Sequence, residues 1–245
     1  MKVCLFFLVL PGLLSAQSSE LKRELSKADA DSLVRGKLIL QRAQLAMGGA
    51  DRLASVKDAT HAMEVALEPA AGGFRMNQTS LFVAPDQIRQ EQEMPIGKIT
   101  IYSDGKSGWL ATPQGVQAMS ADMLKLAKGV VFRQPSTLML SDRDASRRVK
   151  AVGDNAVEIS TADGQIVLVE FDPATGLPAR QLYAEPGPKG ARERAETFSD
   201  WRDVDGIKMP WKAVQQENGA KLLEVTVSEY RINSGITPQE LGKKP

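Results

Sequence analysis

The stretch LFVAPDQIRQEQEMPIGKITIYSDGKSGWLATP, residues 81–113, decides the fold predicted for this chain. Turn signals at Ala84-Pro85-Asp86 and at Asp104-Gly105 divide it into short runs that favour strands. Glycine supplies the positive φ of a tight hairpin at no steric cost, so Asp-Gly between two such runs is a strong hairpin signal. The stretch therefore predicts an antiparallel meander. Its strands are predicted at residues 81–83, 87–94, 97–102 and 107–112.

Strand patterns continue on both sides of this meander. Apolar and polar residues alternate over 59–67, which predicts a half-buried strand, and 74–83 follows a glycine turn. Further strands are predicted at 147–152, 156–161, 166–171, 179–184, 192–201, 207–215 and 221–232. No linker is long or polar enough to split the chain. We predict one domain built on about ten antiparallel strands, curved into an unclosed β-barrel.

Two helices are predicted beside the strands, which makes the expected fold class α+β, mainly β. The first covers residues 31–47 and ends at Gly48-Gly49. Its apolar stripe is predicted from Val34, Leu38, Gln41 and Leu45, widened by Leu33 and Ile39. The second helix starts after Ser120, a suitable N-cap, and ends before Pro135. We expect both helices on the concave side of the sheet, the second as an inserted helical lid.

The N-terminal sixteen residues have the layout of a secretory signal peptide. Lys2 precedes an apolar run over residues 3–14, and Ser15-Ala16 precedes polar residues. The run is too short for a permanent membrane span. Without Lys2 the chain has 30 basic and 30 acidic residues, and no basic stripe indicates nucleic acid. The predicted organisation is a signal peptide at 1–16, a polar extension at 17–30, a half-barrel domain at 31–235 and a short C-terminal tail at 236–245.

Residues able to perform catalysis are scarce. His61 is the only histidine, and Cys4, the only cysteine, lies inside the predicted signal peptide. Histidine-dependent hydrolases and the usual zinc sites are therefore disfavoured, and we interpret His61 as a core or edge residue. The run Gly105-Lys106-Ser107 fits a hairpin better than a phosphate loop, and Asp203 and Asp205 fit a turn better than a calcium loop. We predict no enzyme activity, no metal and no cofactor.

The order and spacing of several motifs resemble the LolA/LolB-like superfamily of bacterial outer-membrane lipoprotein-sorting proteins. Residues 81–89 (LFVAPDQIR), 103–106 (SDGK) and 109–110 look like the central hairpins of that superfamily. Residues 171–178 (FDPATGLP) and 198–206 (FSDWRDVDG) resemble a pattern of its divergent envelope members. The resemblance covers most of residues 33–232.

This resemblance implies an unclosed barrel with a helical lid, whose apolar cavity shields acyl chains during passage through the periplasm. Burying an acyl chain gains about 0.8 kcal/mol per methylene, so such a groove needs no catalytic group. In the lipoprotein carrier of this superfamily, an arginine stands directly before the proline that corresponds to Pro85, and this arginine fastens the lid. This chain has Ala84 at that position.

We therefore predict a non-enzymatic, periplasmic lipid- or lipoprotein-binding protein. It is expected to be a monomer without a transmembrane span, with a lipid, an acyl chain or a lipoprotein as its partner. The alternative is an envelope sensor or protein-interaction domain with the same fold. The predicted cavity residues are Phe82, Ile99, Ile101 and Trp109 from the sheet and Met123, Ala127, Val130 and Val131 from the lid. The same residues would also suit an ordinary core between sheet and helix.

Overall fold

The computed structural model describes residues 11–187 and 190–245. Thirteen strands are present in these residues, and every pairing between them is antiparallel. The strands are β1 (Asp58–Leu67), β2 (Arg75–Val83), β3 (Gln87–Met94), β4 (Gly97–Ser103), β5 (Gly108–Thr112), β6 (Gly115–Ala118), β7 (Arg147–Ala151), β8 (Ala156–Thr161), β9 (Ile166–Phe171), β10 (Pro178–Gly187), β11 (Gly190–Val204), β12 (Ile207–Glu217) and β13 (Ala220–Ile232). The helices are α1 (Pro11–Ala46), α2 (Ala50–Ala54), α3 (Ala121–Phe132), α4 (Pro135–Leu138) and α5 (Pro238–Gly242).

All thirteen strands belong to one sheet that does not close. Their spatial order is β6-β5-β4-β3-β2-β1-β13-β12-β11-β10-β9-β8-β7, so strands that follow each other along the chain are neighbours, and β1 pairs with β13. The prediction of an α+β, mainly β fold with one unclosed antiparallel sheet is confirmed. The sequence did not reveal β6, because the strand has only four residues and all of them are exposed.

The meander at residues 81–113 forms as predicted. Val83 pairs with Gln87 across the first turn, Met94 with Gly97 across the second and Ser103 with Gly108 across the third. In the third turn the Asp104 carboxylate accepts hydrogen bonds from the backbone N–H groups of Lys106 (2.9 Å) and Ser107 (2.6 Å). Gly105 has a φ of 81°, which explains the glycine at that position. The segment is therefore a hairpin, and the phosphate-loop alternative does not apply.

Helix α1 packs on the sheet with a face that includes Ile39 of the predicted set but not the centre of the predicted stripe. Val34, Leu38 and Leu45 are 61%, 60% and 76% exposed. The buried face is formed instead by Gly36, Ile39, Leu40, Ala43, Gln44 and Met47. A Cβ at Gly36 would lie 2.6 Å from the carbonyl oxygen of Val149, so the small residue lets the helix approach β7 closely. The prediction was wrong because glycine and alanine add little to a hydrophobic pattern although they define the packing face here.

The bounds of α1 also differ from the prediction. The helix starts at Pro11 instead of near residue 31, so the predicted polar extension at 17–30 is helical. Residues 1–10 of the predicted signal peptide lie outside the described residues, and residues 11–16 form the start of α1. No helix of the described chain combines the length and hydropathy required to cross a membrane.

Helix α3 is the predicted insertion. The Ser120 side chain caps it by accepting a hydrogen bond from the Met123 N–H (3.3 Å), as the sequence indicated. Val131 packs against Phe82 and Ile88 from the sheet, while Phe132 belongs to the main core beneath α1. One end of α3 is thus fixed by two separate groups of apolar contacts.

The C-terminal segment lies against the sheet. Helix α5 begins with a capping box, in which Thr237 and Glu240 exchange hydrogen bonds. Leu241 is 1% exposed, and its carbonyl oxygen accepts a hydrogen bond from Arg89 Nη1 (3.1 Å). Before this helix, the Asp58 carboxylate accepts hydrogen bonds from the backbone N–H groups of Ser234 (2.8 Å) and Gly235 (3.0 Å).

Candidate functional site

A cavity of about 380 Å³ lies between the sheet and the α3–α4 segment, and we call it the lid cavity. Gln90 of β3 and Gln181 of β10 both line it, although six strand spacings separate β3 from β10. In a flat sheet those strands would be roughly 29 Å apart, at about 4.8 Å per spacing. The sheet is therefore strongly curved, and the lid cavity lies on its concave face. Val130, Arg133, Gln134 and Pro135 form the roof.

Apolar side chains cover part of the wall. Residues that pair directly across neighbouring strands share a face, and Met63 pairs with Val227 while Val65 pairs with Val225 and Met76. These pairs place an apolar band across the middle of the sheet. The apolar wall residues are Met63, Val65, Met76, Phe198, Pro210, Ala213, Leu223, Val225 and Val227.

The same wall carries many neutral polar groups, so the lining is more polar than the sequence suggested. Some of the glutamines in this wall form hydrogen bonds with other side chains of the protein. Gln92 donates to Gln78 Oε1 (3.0 Å), and Gln215 donates to the hydroxyl oxygen of Tyr183 (3.0 Å). The glutamines of the described lining are Gln78, Gln90, Gln92, Gln134, Gln181 and Gln215.

His61 lies on the floor of the lid cavity. Its ring stacks at 41° on Tyr230, with 5.0 Å between the ring centroids. Burial lowers the pKa of His61 to about 4, so the imidazole is neutral at physiological pH. Burial also raises the pKa of Tyr230. The interpretation of His61 as a core or edge residue is therefore incomplete, because its ring borders a cavity.

One end of the lid cavity carries an ion-pair network. Arg133 Nη2 lies 2.9 Å from Glu185 Oε1, and Arg194 Nε lies 3.1 Å from the other oxygen of the same carboxylate. The Arg133 guanidinium also lies 3.6 Å from the centre of the Tyr183 ring, a cation–π contact. Burial raises the pKa of the Glu196 carboxyl, although the hydrogen bond from Gln181 (2.6 Å) opposes this effect.

Arg133 fastens the lid from the helix side. Its side chain is 9% exposed and that of Glu185 is 16% exposed, so the pair is largely buried. Both residues also border a second, larger hollow of about 930 Å³, which Lys125, Leu126 and Gly129 of α3 line as well. Ala84 is exposed at the end of β2, where its N–H donates to the Lys57 carbonyl oxygen (2.8 Å).

The residues predicted to form the cavity are distributed over several environments. Val130 lines the lid cavity, and Phe82 and Val131 pack together in the small core beside it. Ile99 and Ile101 share the concave face, since they pair with Gln92 and Gln90. Met123 and Ala127 lie on α3 outside the cavity lining.

Trp109 is on the opposite face of the sheet. It pairs with Tyr102, and Tyr102 pairs with Arg89. The Arg89 guanidinium lies 5.4 Å from the centre of the Trp109 ring. Since Arg89 also contacts α5, the tryptophan belongs to the layer between the sheet and the C-terminal helix.

Sequence reasoning missed the polar members of the site. The strand pairing across the hairpin of β1 and β2 contains the information needed to find them. In this pairing, His61 lies opposite Ser80, Met63 opposite Gln78 and Val65 opposite Met76. Reading the face of one strand across its hairpin would have found them. No group of three or more potential metal ligands occurs among the described residues. Asp203 accepts a hydrogen bond from the Gly206 N–H (2.9 Å), as the turn interpretation requires.

Comparison with known proteins bears on the fold. No protein-family model matches the chain, and no curated protein matches it in sequence. Among solved structures, a domain described as an outer membrane lipoprotein-sorting protein from Vibrio parahaemolyticus is 17% identical, with a TM-score of 0.53 over 85% of this chain and 97% of that one. A LolA superfamily protein from Nitrosomonas europaea is 12% identical, with a TM-score of 0.53 over 85% of this chain and 97% of that one.

A DUF1329 family protein from Desulfovibrio piger ATCC 29098 resembles this chain in structure to a similar degree. It is 11% identical, with a TM-score of 0.54 over 86% of this chain and 97% of that one. At such low identities the comparison concerns the fold alone. The predicted resemblance to the LolA/LolB-like superfamily is confirmed at that level.

The lowered pKa of His61, a half-buried residue whose Nδ1 atom is inaccessible to solvent, predicts a pH dependence of stability. The unfolded imidazole titrates near 6.5 and the folded one near 4, so the unfolded state binds more protons in this window. Stability should therefore decrease as the pH falls from 6.5 to 4. The contribution of this group to the loss between pH 7 and pH 5 is about 2 kcal/mol. Urea titrations of the wild type and His61→Phe should show this excess slope in the wild type only, and equal slopes would contradict the assignment.

The buried ion pair between Arg133 and Glu185 predicts that Arg133→Met lowers the unfolding free energy strongly. Removing one partner of a buried ion pair leaves a desolvated charge, and Arg194 compensates Glu185 only in part. We expect unfolding free energy to drop by about 2–3 kcal/mol, with faster amide hydrogen exchange in α3.

The matched control for this prediction is Arg35→Met on α1. Arg35 pairs with Asp154 at the surface, where the two side chains are 56% and 94% exposed, and its loss should cost less than about 0.5 kcal/mol. Equal effects of the two substitutions would show that Arg133 does not hold the lid.

Proposed function

We propose that this chain is a periplasmic lipid-binding protein that shelters acyl chains in the lid cavity. The observation that carries the proposal is the cavity itself, which lies between a curved sheet and a helix fixed at one end and is partly open to solvent. Its volume falls within the roughly 300–1,000 Å³ of small-molecule sites. The band around Met63, Val65 and Val225 offers apolar surface, whose burial against acyl chains is favourable by about 25 cal/mol per Å².

Two further observations support this function. The solved structures with the same fold include proteins described as lipoprotein-sorting or LolA superfamily proteins. The N-terminal sixteen residues have the pattern of an export signal, which supports a periplasmic location. The ligand class would be a lipid or the acyl chains of a lipoprotein, bound by a monomer without chemical conversion. Phe82, Ile99, Ile101, Met123, Ala127 and Val131 remain candidates for contacts that form when the lid moves.

A second candidate function is an envelope sensor or protein-interaction domain. The observation that favours it is the apolar stripe of Val34, Leu38 and Leu45, which is exposed on α1. Exposed apolar residues in a row along one helix are typical of contact with another protein. Under this function the lid cavity would bind no lipid.

Co-purification and a single substitution distinguish the two functions. Protein exported by a bacterial host should carry lipid that solvent extraction and mass spectrometry detect. After delipidation, it should bind a pyrene-labelled fatty acyl methyl ester. Val130→Glu places a charge in the roof and should weaken binding at least about tenfold, because burying an unpaired carboxylate is costly.

The control for the roof substitution is Ala121→Glu, at the exposed first residue of the same helix. It should bind the ester like the wild type. The absence of both co-purified lipid and ester binding in the wild type would contradict the lipid-binding function and favour the interaction domain.

A further inference from the structure

Two buried polar groups in the lid cavity have no partner among the described residues. They are the hydroxyl of Ser80, a residue only 1% exposed, and Nδ1 of His61. Buried polar groups in folded proteins are nearly always hydrogen-bonded, and an unpaired one lowers stability. Both residues line the lid cavity, so a molecule bound there is a possible source of the missing hydrogen bonds.

The two groups lie next to each other. His61 and Ser80 are directly paired between β1 and β2, and Ser80 is directly paired with Gln90 of β3. Paired residues have Cβ atoms about 4.5–5.5 Å apart, so their side chains can reach the same atom. We call the three residues His61, Ser80 and Gln90 the polar patch. Next to it on the same face, Met63 and Val227 begin the apolar band.

The polar patch carries no charge. His61 is neutral, because burial lowers its pKa to about 4, and serine and glutamine do not ionise. Arg133 is the cation of the described cavity lining, but it is engaged by Glu185 and covers the Tyr183 ring. Glu185 and Glu196 also line the cavity. An anionic headgroup would therefore find no free positive partner and two acidic neighbours.

We propose that the polar patch binds an uncharged carbonyl group of the ligand, the ester or amide that joins an acyl chain to its carrier molecule. This inference rests on the proposed lipid-binding function. A carbonyl oxygen has two lone pairs, which can accept from the Ser80 hydroxyl and from His61 in the tautomer with the proton on Nδ1. The acyl chain then extends along the apolar band. The preferred ligands are neutral acyl esters and amides, and free fatty acids bind more weakly.

The experiment compares four pyrene-labelled probes of equal chain length: an alkane, a methyl ester, an N-methyl amide and a free fatty acid. Each is titrated at neutral pH into delipidated mature protein, and its dissociation constant is measured by fluorescence. We expect the ester and the amide to bind roughly tenfold more tightly than the alkane and the free acid. A comparison of the dissociation constants of the ester and the amide shows whether the site prefers an ester link, as in glycerides, or an amide link.

Ser80→Ala and His61→Phe test the residues of the polar patch. Each should abolish most of the preference for the ester over the alkane while leaving alkane binding within about twofold, because the apolar band is intact. Phenylalanine keeps a ring against Tyr230. Thr60→Val is the matched control, since it removes a hydroxyl from a residue of β1 that is 6% exposed and faces the other side of the sheet.

A second readout does not depend on affinity. Infrared spectra of a ¹³C-labelled ester carbonyl should show a shift to lower frequency on binding to the wild type, and a smaller shift with Ser80→Ala. If a variant does not fold, the wild-type probe series and the wild-type infrared shift still decide the question.

The outcomes separate the inference from the function on which it rests. Equal binding of ester and alkane, or tightest binding of the free acid, would overturn the polar patch while leaving lipid binding in place. A failure of all four probes to bind would overturn both. A preference for ester or amide that Thr60→Val retains and Ser80→Ala loses would support the inference.

Discussion

The pairing of β1 with β13 is the constraint on which the rest of the structure depends. The strands β1–β6 form one local meander and β7–β13 form another, and each strand pairs only with its neighbours in sequence except at this junction. The junction also builds the floor of the lid cavity, since His61 pairs with Tyr230, Met63 with Val227 and Val65 with Val225. Bringing the distant strands β1 and β13 together costs loop-closure entropy. Burial of the apolar face that the two strands share offsets this cost.

The two halves of the concave face are covered unequally. Over β7–β9, α1 buries a continuous apolar core in which Val157, Ile159 and Val167 are fully inaccessible. Over β1–β3, the cover is smaller: Val131 at the end of α3 belongs to the small core around Phe82 and Ile88, and Val56 packs against it. The lid cavity lies where helical cover is incomplete. The ion pair between Arg133 and Glu185 lies at the same end of α3 as the apolar contacts of Val131 and Phe132, so all three hold this end of the helix on the sheet.

Much of the fold could be predicted because its signals are local. Turn residues such as Asp104-Gly105 and alternating runs such as residues 59–67 define hairpins without knowledge of distant contacts. The packing face of α1 could not be predicted in the same way, because Gly36, which lies close to the β7 backbone, and the buried Ala43 contribute little hydrophobicity. Among the candidate site residues, Val130, which was predicted from the apolar face of α3, lines the lid cavity. Trp109 was assigned without its register, which puts it on the other side of the sheet. The polar patch was not predicted because only the alignment of β1, β2 and β3 shows that Ser80 and Gln90 lie beside His61.

The central claim is that an acyl chain occupies the space between sheet and lid, and the methionines of the chain report on it directly. Met63 and Met76 line the lid cavity, whereas Met47 and Met139 are buried in the core beneath α1. In ¹³C-methyl NMR spectra of the delipidated protein, addition of a short-chain neutral acyl ester should shift the Met63 and Met76 signals and leave those of Met47 and Met139 in place. Unchanged Met63 and Met76 signals at saturating ester, or equal shifts at all four methionines, would contradict the account.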